Sequence, residues 1–149
     1  MRSNNPKYFF SKKEREAIQA AICESEVKTS GEIRVHIQCD TSSDVLMDAK
    51  QVFEKLGMTR THEQNGVLIL FEIKKRQFAI IGDKGIHEKV PPNFWEGIAQ
   101  SMQKNFREDR FADGLVDGVK QIGEKLETYF SAQKHNPNEL SDRISYGRV

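Results

Sequence analysis

The chain has few cysteines, and their positions exclude two common classes of small protein. Among its 149 residues only Cys23 and Cys39 are cysteines, and neither belongs to a Cys-x-x-Cys or Cys/His pattern. A disulfide framework needs more cysteines, and a structural zinc site needs closely spaced ligand pairs. Both thiols are therefore expected to be reduced, as in a cytoplasmic protein.

Long apolar runs are also missing. No segment approaches the roughly 18 consecutive apolar residues that a membrane-spanning helix requires. The first residues, Met1 to Pro6, lack the apolar stretch of a secretory signal. We therefore expect no membrane insertion and a cytoplasmic location.

Neither sign of charge is in excess, because 23 basic and 22 acidic side chains give a formal net charge of +1. A nucleic-acid-binding domain usually carries a basic face. Two local basic clusters, at residues 12–15 and 74–76, lie at a predicted helix start and in a predicted turn, where charge is expected to be solvated. The composition therefore indicates no nucleic-acid partner.

The spacing of apolar residues predicts a single domain over residues 11–130. Ser11 followed by Glu14 forms a capping-box pattern, which marks the start of the first long helix. Helical periodicity predicts four helices, at about residues 11–28, 44–57, 91–106 and 111–129. The predicted domain lies between a flexible N-terminus, residues 1–10, and a polar tail, residues 131–149, that could dock through Leu140, Ile144 and Tyr146.

Three strands are predicted between these helices. Residues 33–37 alternate with polar neighbours, which indicates a strand with one wet face or a sheet edge. Two apolar runs, residues 66–71 and 78–82, are separated by a short basic turn and predict an antiparallel hairpin. The order α-β-α-β-β-α-α implies a parallel pair with a right-handed crossover. We therefore expect an α/β fold, a three-layer α/β/α sandwich on a small mixed sheet.

Polar residues are expected to meet at one end of this sheet. If the first two strands are parallel and the third returns, Glu32, Asn65 and Asp83 share an end. Asp109 and Asp113 would join them if the last helix begins at the same end. Calcium takes about six to eight oxygen ligands, whereas magnesium keeps more water. We therefore predict a calcium site, with magnesium less favoured, formed by these residues.

A structural explanation exists for each of these residues as well. Asn-Gly and an Asp between glycines are common in turns, and Asp109 is a candidate N-cap. The histidines lack metal-ligand spacing, and the sequence contains neither a nucleophile elbow nor a Walker or dinucleotide-binding loop. A scaffold without a ligand therefore stays open as an interpretation.

Four segments carry a resemblance to a known family. They are TSGEI at residues 29–33, NGVLI at 65–69, AIIGDKG at 79–85 and FR-x-D-x-FA-x-G at 106–114. In order and spacing they resemble the TPM domain family over residues 11–130. Residues 138–146 are similar to the tail of its short, stand-alone bacterial form.

This resemblance implies an α/β/α fold, a divalent-cation site that takes calcium in related proteins, and a phosphatase activity attributed to plant members. By position it implies an acidic pocket of Glu32, Asn65, Asp83 and Asp109. Many members follow the third strand with Gly-x-Gly and carry a signal peptide and a membrane helix. This chain has GDKG at residues 82–85, and neither segment is apparent in its sequence.

Two functions follow as hypotheses. The first is a calcium-binding interaction module with a protein partner that the sequence does not identify. The alternative is a metal-dependent phosphatase acting on phosphomonoesters, with Asp83 or Asp109 as metal ligand or base and Lys84 near the phosphate. The lack of a recognisable nucleophile or phosphate clamp favours the interaction module.

Overall fold

A computed structural model describes residues 2–40, 44–131 and 144–147. The helices are α1 (Pro6–Phe9), α2 (Lys12–Lys28), α3 (Val45–Lys55), α4 (Lys84–His87), α5 (Glu96–Arg107) and α6 (Phe111–Tyr129). The strands are β1 (Glu32–Gln38), β2 (Gly66–Glu72), β3 (Gln77–Gly82) and β4 (Ser145–Tyr146), and a 3-10 turn covers Met58–Arg60. The predicted helices and strands are present, and four short elements are added: α1, the 3-10 turn, α4 and β4.

The strands form one mixed sheet in the order β3-β2-β1-β4. Strands β1 and β2 are parallel, with Glu32 opposite Gly66, and β3 returns antiparallel to β2, with Gly82 opposite Val67. Strand β4 pairs in parallel with β1. Part of the predicted tail is therefore docked: Ile144 is buried and Tyr146 lies in β4, while Leu140 lies outside the described residues.

The layers follow from the alternation of side chains along β2, whose seven residues are all buried. Val67, Ile69 and Phe71 pack in the main core, to which α2, α5 and α6 contribute. Leu68 and Leu70 point to the opposite face, where they pack with residues of α3. The expected α/β/α sandwich is confirmed.

Strand β1 is central rather than an edge, because it lies between β2 and β4. Its apolar residues, among them Ile33 and Val35, face the main core. Glu32 and His36 alternate with them yet are also buried, with 2% and 6% of their surface exposed. The expectation of a wet face or a sheet edge is thus corrected: at these two positions the polar face is covered.

Helix α2 begins as its sequence predicts. The Ser11 side chain accepts a hydrogen bond from the Glu14 N–H at 3.1 Å, and Glu14 Oε1 accepts one from the Ser11 N–H at 2.9 Å. This reciprocal capping box satisfies two N–H groups that a helix start leaves unpaired.

Helix α5 begins at Glu96, later than the start predicted at Pro91-Pro92. Residue 91 precedes a proline, and such residues avoid the helical region of backbone conformation. Residues 91–95 form turns instead, with the Phe94 N–H bonded to the Pro91 carbonyl at 3.1 Å. The two prolines therefore precede the helix rather than form its first turn.

The N-terminal segment contributes to the core, which corrects the expectation of a flexible N-terminus. Asn5 caps α1 by accepting a hydrogen bond from the Lys7 N–H at 3.1 Å, and Pro6 occupies the first turn, where a missing N–H costs nothing. Phe9 and Phe10 are both buried. Burying two phenylalanine rings holds this segment against the domain.

Helix α6 packs closely along α5 and α2. A Cβ on Gly118 would lie 2.5 Å from Met102 Sδ of α5, and one on Gly123 would lie 2.5 Å from Ser25 Cβ of α2. A larger side chain at Gly123 would therefore push α6 away from α2, and one at Gly118 would displace the Met102 side chain. No helix among residues 2–40, 44–131 and 144–147 is long and apolar enough to cross a membrane.

Candidate functional site at the polar end of the sheet

The strand ends meet as the sequence predicts. Glu32 begins β1 opposite Gly66, and the Asp83 N–H donates to the Gly66 carbonyl at 2.9 Å. Asn65 immediately precedes Gly66. We call this end of the sheet, defined by Glu32, Asn65 and Asp83, the polar end.

Asn65 is the most buried member of this group, with 1% of its surface exposed. Its Nδ2 donates to Ser30 Oγ at 3.2 Å and to Glu63 Oε2 at 3.4 Å, and its N–H donates to Thr61 Oγ1 at 3.1 Å. These bonds orient the carboxamide. They leave Oδ1 buried without a hydrogen-bond partner.

Asp83 lies at the start of α4 and uses one of its two carboxylate oxygens there. Its Oδ1 accepts a hydrogen bond from the Lys84 N–H at 2.8 Å, as an N-cap does. Its Oδ2 is buried and has no hydrogen-bond partner. The polar end therefore has two buried oxygens, one amide and one carboxylate, with unused acceptor capacity.

Glu32 is the second carboxylate residue at the polar end. It is 2% exposed and lies in register with Gly66, which separates it from Asp83 across the sheet. The backbones of the three residues predicted from the strand ends thus lie at the same end of the sheet.

A surface cleft of about 490 Å³ opens at the same end, and Glu63, Gln64, Gly85 and Phe130 are among its lining residues. Gly85 is required there, because a Cβ would lie 2.3 Å from the Glu63 carbonyl oxygen. The Gly85 N–H donates to the Gln64 carbonyl at 2.8 Å. The second glycine of the GDKG segment therefore holds α4 against the chain that leads into Asn65.

Asp109 and Asp113 are not part of this group. Helix α6 starts beside Phe71, whose ring centroid lies 5.7 Å from that of Phe111, and ends where the Phe130 carbonyl accepts a hydrogen bond from the Ser30 N–H at 3.0 Å. A helix of 19 residues separates its two ends by about 28 Å. The condition under which these two aspartates would join the site is not met.

Asp109 and Asp113 lie in surroundings that favour a role in the stability of the fold. Asp109 is exposed, has a positive φ of 59°, and raises the pKa of Arg2 together with the stronger effect of Glu14. The N-cap of α6 is Arg110, not Asp109, and it makes no side-chain capping bond. Asp113 is exposed in the first turn of α6, where a carboxylate favours the helix dipole.

Sequence reasoning missed Ser30, Thr61 and Glu63, the side chains that hold Asn65. Glu63 lies two residues before Asn65, in the polar connection that follows α3. Ser30 lies in the TSGEI segment that precedes β1. A carboxylate so near a candidate amide ligand was the available signal.

Among the described residues, no group of three or more His, Cys, Asp and Glu side chains is arranged to hold a metal ion. The donor set at the polar end is mixed, with the Asn65 amide oxygen beside carboxylates. Such a set suits a hard cation that also accepts carbonyl oxygens and water, and does not suit a zinc-type site.

Fold and site together define a class: an α/β/α sandwich whose strand ends gather buried carboxylate and amide oxygens. The model of the TPM domain matches residues 3–125, and the chain therefore belongs to the TPM domain family. Family membership supports an interaction-type module. The comparison with curated proteins finds no match.

Solved structures share the fold. The BA42 protein from the psychrophilic bacterium Bizionia argentinensis is 39% identical, with a TM-score of 0.91, over 97% of this chain and 100% of that one. The N-terminal domain of a protein from P. gingivalis is 17% identical, with a TM-score of 0.67, over 85% and 83% of the two chains. The N-terminal domain of the cg2496 protein from Corynebacterium glutamicum is 13% identical, with a TM-score of 0.63, over 94% and 81%.

Proposed function

We propose that this protein is an interaction module that binds a divalent cation, calcium in preference to magnesium, at the polar end of its sheet. Asn65 and Asp83 are the proposed ligands, with Glu32 as the second carboxylate. The proposal rests mainly on the Asn65 Oδ1 atom, which is buried and has no hydrogen-bond partner.

Leaving Asn65 Oδ1 without a partner lowers the stability of the folded protein. A buried acceptor without a partner costs about 1–3 kcal/mol, because it loses its hydrogen bonds to water. The same cost applies to Asp83 Oδ2. A cation bound at the polar end and reached by these oxygens would replace the lost interactions.

Calcium fits this donor set better than magnesium. Calcium accepts carboxylate, amide and backbone carbonyl oxygens in flexible geometry, whereas magnesium demands a nearly octahedral shell and gives up water reluctantly. Two or three protein side chains on separate strands suit the flexible shell, with water completing it. The cation would supply positive charge at a place where carboxylates otherwise repel each other.

The experiment is thermal unfolding in calcium, in magnesium and in EDTA. At a free calcium concentration one hundred times the dissociation constant, binding should stabilise the native state by about 2.7 kcal/mol. In a calcium titration followed by amide NMR, the shifts should be confined to residues near Gly31, Asn65 and Asp83. Unfolding curves that coincide in calcium and EDTA would contradict the proposal.

Two aspartate variants make the test specific. Asp83→Asn keeps the N-cap of α4, because asparagine caps as well as aspartate, and should lose most of the calcium response. Asp113→Asn also removes one negative charge, but in the first turn of α6, far from the polar end. Calcium should stabilise this variant as much as it stabilises the unmodified protein. Equal loss in both variants would indicate a general charge effect.

No observation among the described residues favours the phosphatase alternative, which a phosphomonoester turnover assay on the same variants would detect.

A further inference from the structure

Strand β3 forms one edge of the sheet, and no strand among the described residues pairs with its outer side. The Asp83 N–H donates to the Gly66 carbonyl of β2. Backbone groups alternate along an antiparallel strand, so Ile81 and Ala79 also bond toward β2. The backbone groups of Phe78, Ile80 and Gly82 therefore point away from β2, toward the open edge. Proteins usually protect such an edge with charge, proline or a bulge. The sequence of β3, QFAIIG, contains neither charge nor proline.

Helix α5 lies alongside this edge and forms one wall of a groove. Gly82 lies against Trp95, just before α5, since a Cβ there would be 2.9 Å from Trp95 Cζ2. At the other end the Phe78 and Phe106 ring centroids are 5.2 Å apart. The helix therefore runs antiparallel to β3 along its length.

The space between them consists of two adjoining cavities of about 420 and 410 Å³, which share Phe78 and Gln103 in their linings. We call this space the β3–α5 groove. Phe78 and Ile80 form its apolar floor and are only partly buried, and the small Ala99 lies on the helix wall. A strand of six residues is about 20 Å long, so the groove matches an extended segment of about that length.

Charge differs between the two ends of the groove. Arg76 and Arg107, both exposed, line it at the Phe78 end. Glu96 lines it at the Trp95 end. An extended ligand antiparallel to β3 would bring its C-terminal end to the two arginines, where acidic groups are favoured.

We propose that the β3–α5 groove binds an extended peptide segment of a partner protein. The segment adds to β3 as an antiparallel strand, places alternate apolar side chains over Phe78 and Ile80, and places acidic residues at its C-terminal end beside Arg107. Backbone hydrogen bonds to a free sheet edge give affinity, and the side-chain contacts in the groove give specificity. The groove does not include Glu32, Asn65 or Asp83, so this proposal does not rest on cation binding.

The observations favour a peptide over a second copy of this chain. In a symmetric β3–β3 pair the strand offered to each groove would be QFAIIG, which carries no acidic side chain to meet Arg76 and Arg107. The basic end of the groove instead complements an acidic segment.

The test uses a defined probe, an acetylated hexapeptide with valine and threonine alternating and two glutamates at its C-terminal end. Amide hydrogen exchange followed by NMR should slow on binding at Phe78, Ile80 and Gly82, whose N–H groups face outward. Ala79 and Ile81 should change less, because their N–H groups already face β2. A version of the peptide N-methylated on the bonding face should not bind, and unchanged exchange at the three outward amides would overturn the proposal.

Substitutions then locate the groove. Ala99→Arg should weaken binding about tenfold, equivalent to about 1.4 kcal/mol, by filling the helix wall. Ala20→Arg, the same change on the exposed face of α2, should leave binding unchanged. Arg107→Glu should weaken the glutamate peptide and strengthen a matched peptide that ends in two lysines. Equal binding of both peptides to the unmodified protein would overturn the charge assignment.

The same titrations in calcium and in EDTA separate the two proposals. Peptide binding in both conditions supports the groove whatever the outcome of the thermal test. Self-association of the protein alone, with slowed exchange at the same three amides and a mass that rises with concentration in sedimentation, would replace the peptide by a second copy and overturn the proposal.

Discussion

Opposite ends of the sheet are built in opposite ways. Away from the polar end, five phenylalanine rings close the core with centroids 4.9 to 6.1 Å from their neighbours; they are Phe9, Phe10, Phe71, Phe106 and Phe111. We call this the aromatic end. At the polar end, two side-chain oxygens are buried without a hydrogen-bond partner.

Near the aromatic end Arg2 and Glu14 pair with each other, whereas Glu72 Oε2, at the end of β2, is also buried without a hydrogen-bond partner. Arg2 forms a two-pronged pair with Glu14, with both N–O distances 2.7 Å, and lies 5.1 Å from the Phe9 ring centroid. The hydrogen bonds from Arg2 lower the pKa of the Glu14 carboxyl to about 2. The two ends therefore differ mainly in packing: clustered rings close the aromatic end, whereas the polar end carries Asn65 Oδ1 and Asp83 Oδ2 without partners.

The substitution with the largest expected effect on stability is Phe71→Ala, at the aromatic end. Removing a fully buried ring that contacts several others should lower the free energy of unfolding by about 3–5 kcal/mol, measured by urea denaturation. The increment that calcium adds should stay unchanged. Tyr8→Ala, which removes an exposed ring, is the control and should cost little. A loss below about 1 kcal/mol for Phe71→Ala would contradict the role given to the aromatic end.

A smaller effect concerns His36, on β1 between the two ends. Burial, with the charges of Arg34 and Lys55, lowers the pKa of His36 to about 4. The unfolded chain takes up this proton near pH 6.5, but the folded protein does not until about pH 4. Stability should therefore be complete above pH 6.5 and fall by up to about 1.4 kcal/mol per pH unit between these values.

His36→Gln should remove this component of the pH dependence, as seen in urea denaturation at successive pH values. His87→Gln, at an exposed position on α4, serves as the matched control. If both variants keep the slope of the unmodified protein, the acid sensitivity arises from other groups.

The smallest expected effect tests the start of α2. Ser11→Ala removes the acceptor for the Glu14 N–H and should cost about 1 kcal/mol of unfolding free energy in urea. Ser11→Asp should retain most of the stability, because aspartate also caps helices. Calcium should stabilise both variants as much as the unmodified protein, and a reduced response would link the two ends.

How far the sequence predicts this structure depends on the range of the interactions involved. Strand alternation and a short hairpin predict which strand ends meet, and the ends next to Asn65 and Asp83 do meet. The position of Asp109 could not be derived from the sequence, because the direction of α6 depends on the packing of Phe106 and Phe111 against Phe71, which no local pattern reveals. The core role of Phe9 depends on the same distant contacts.

Strand β4 has a consequence for stoichiometry. Among the described residues it pairs with His36 and Ile37 and so covers part of that side of β1. The opposite side, at β3, is where we propose that a partner strand binds. Because each molecule has one such groove, a partner strand would be joined one to one.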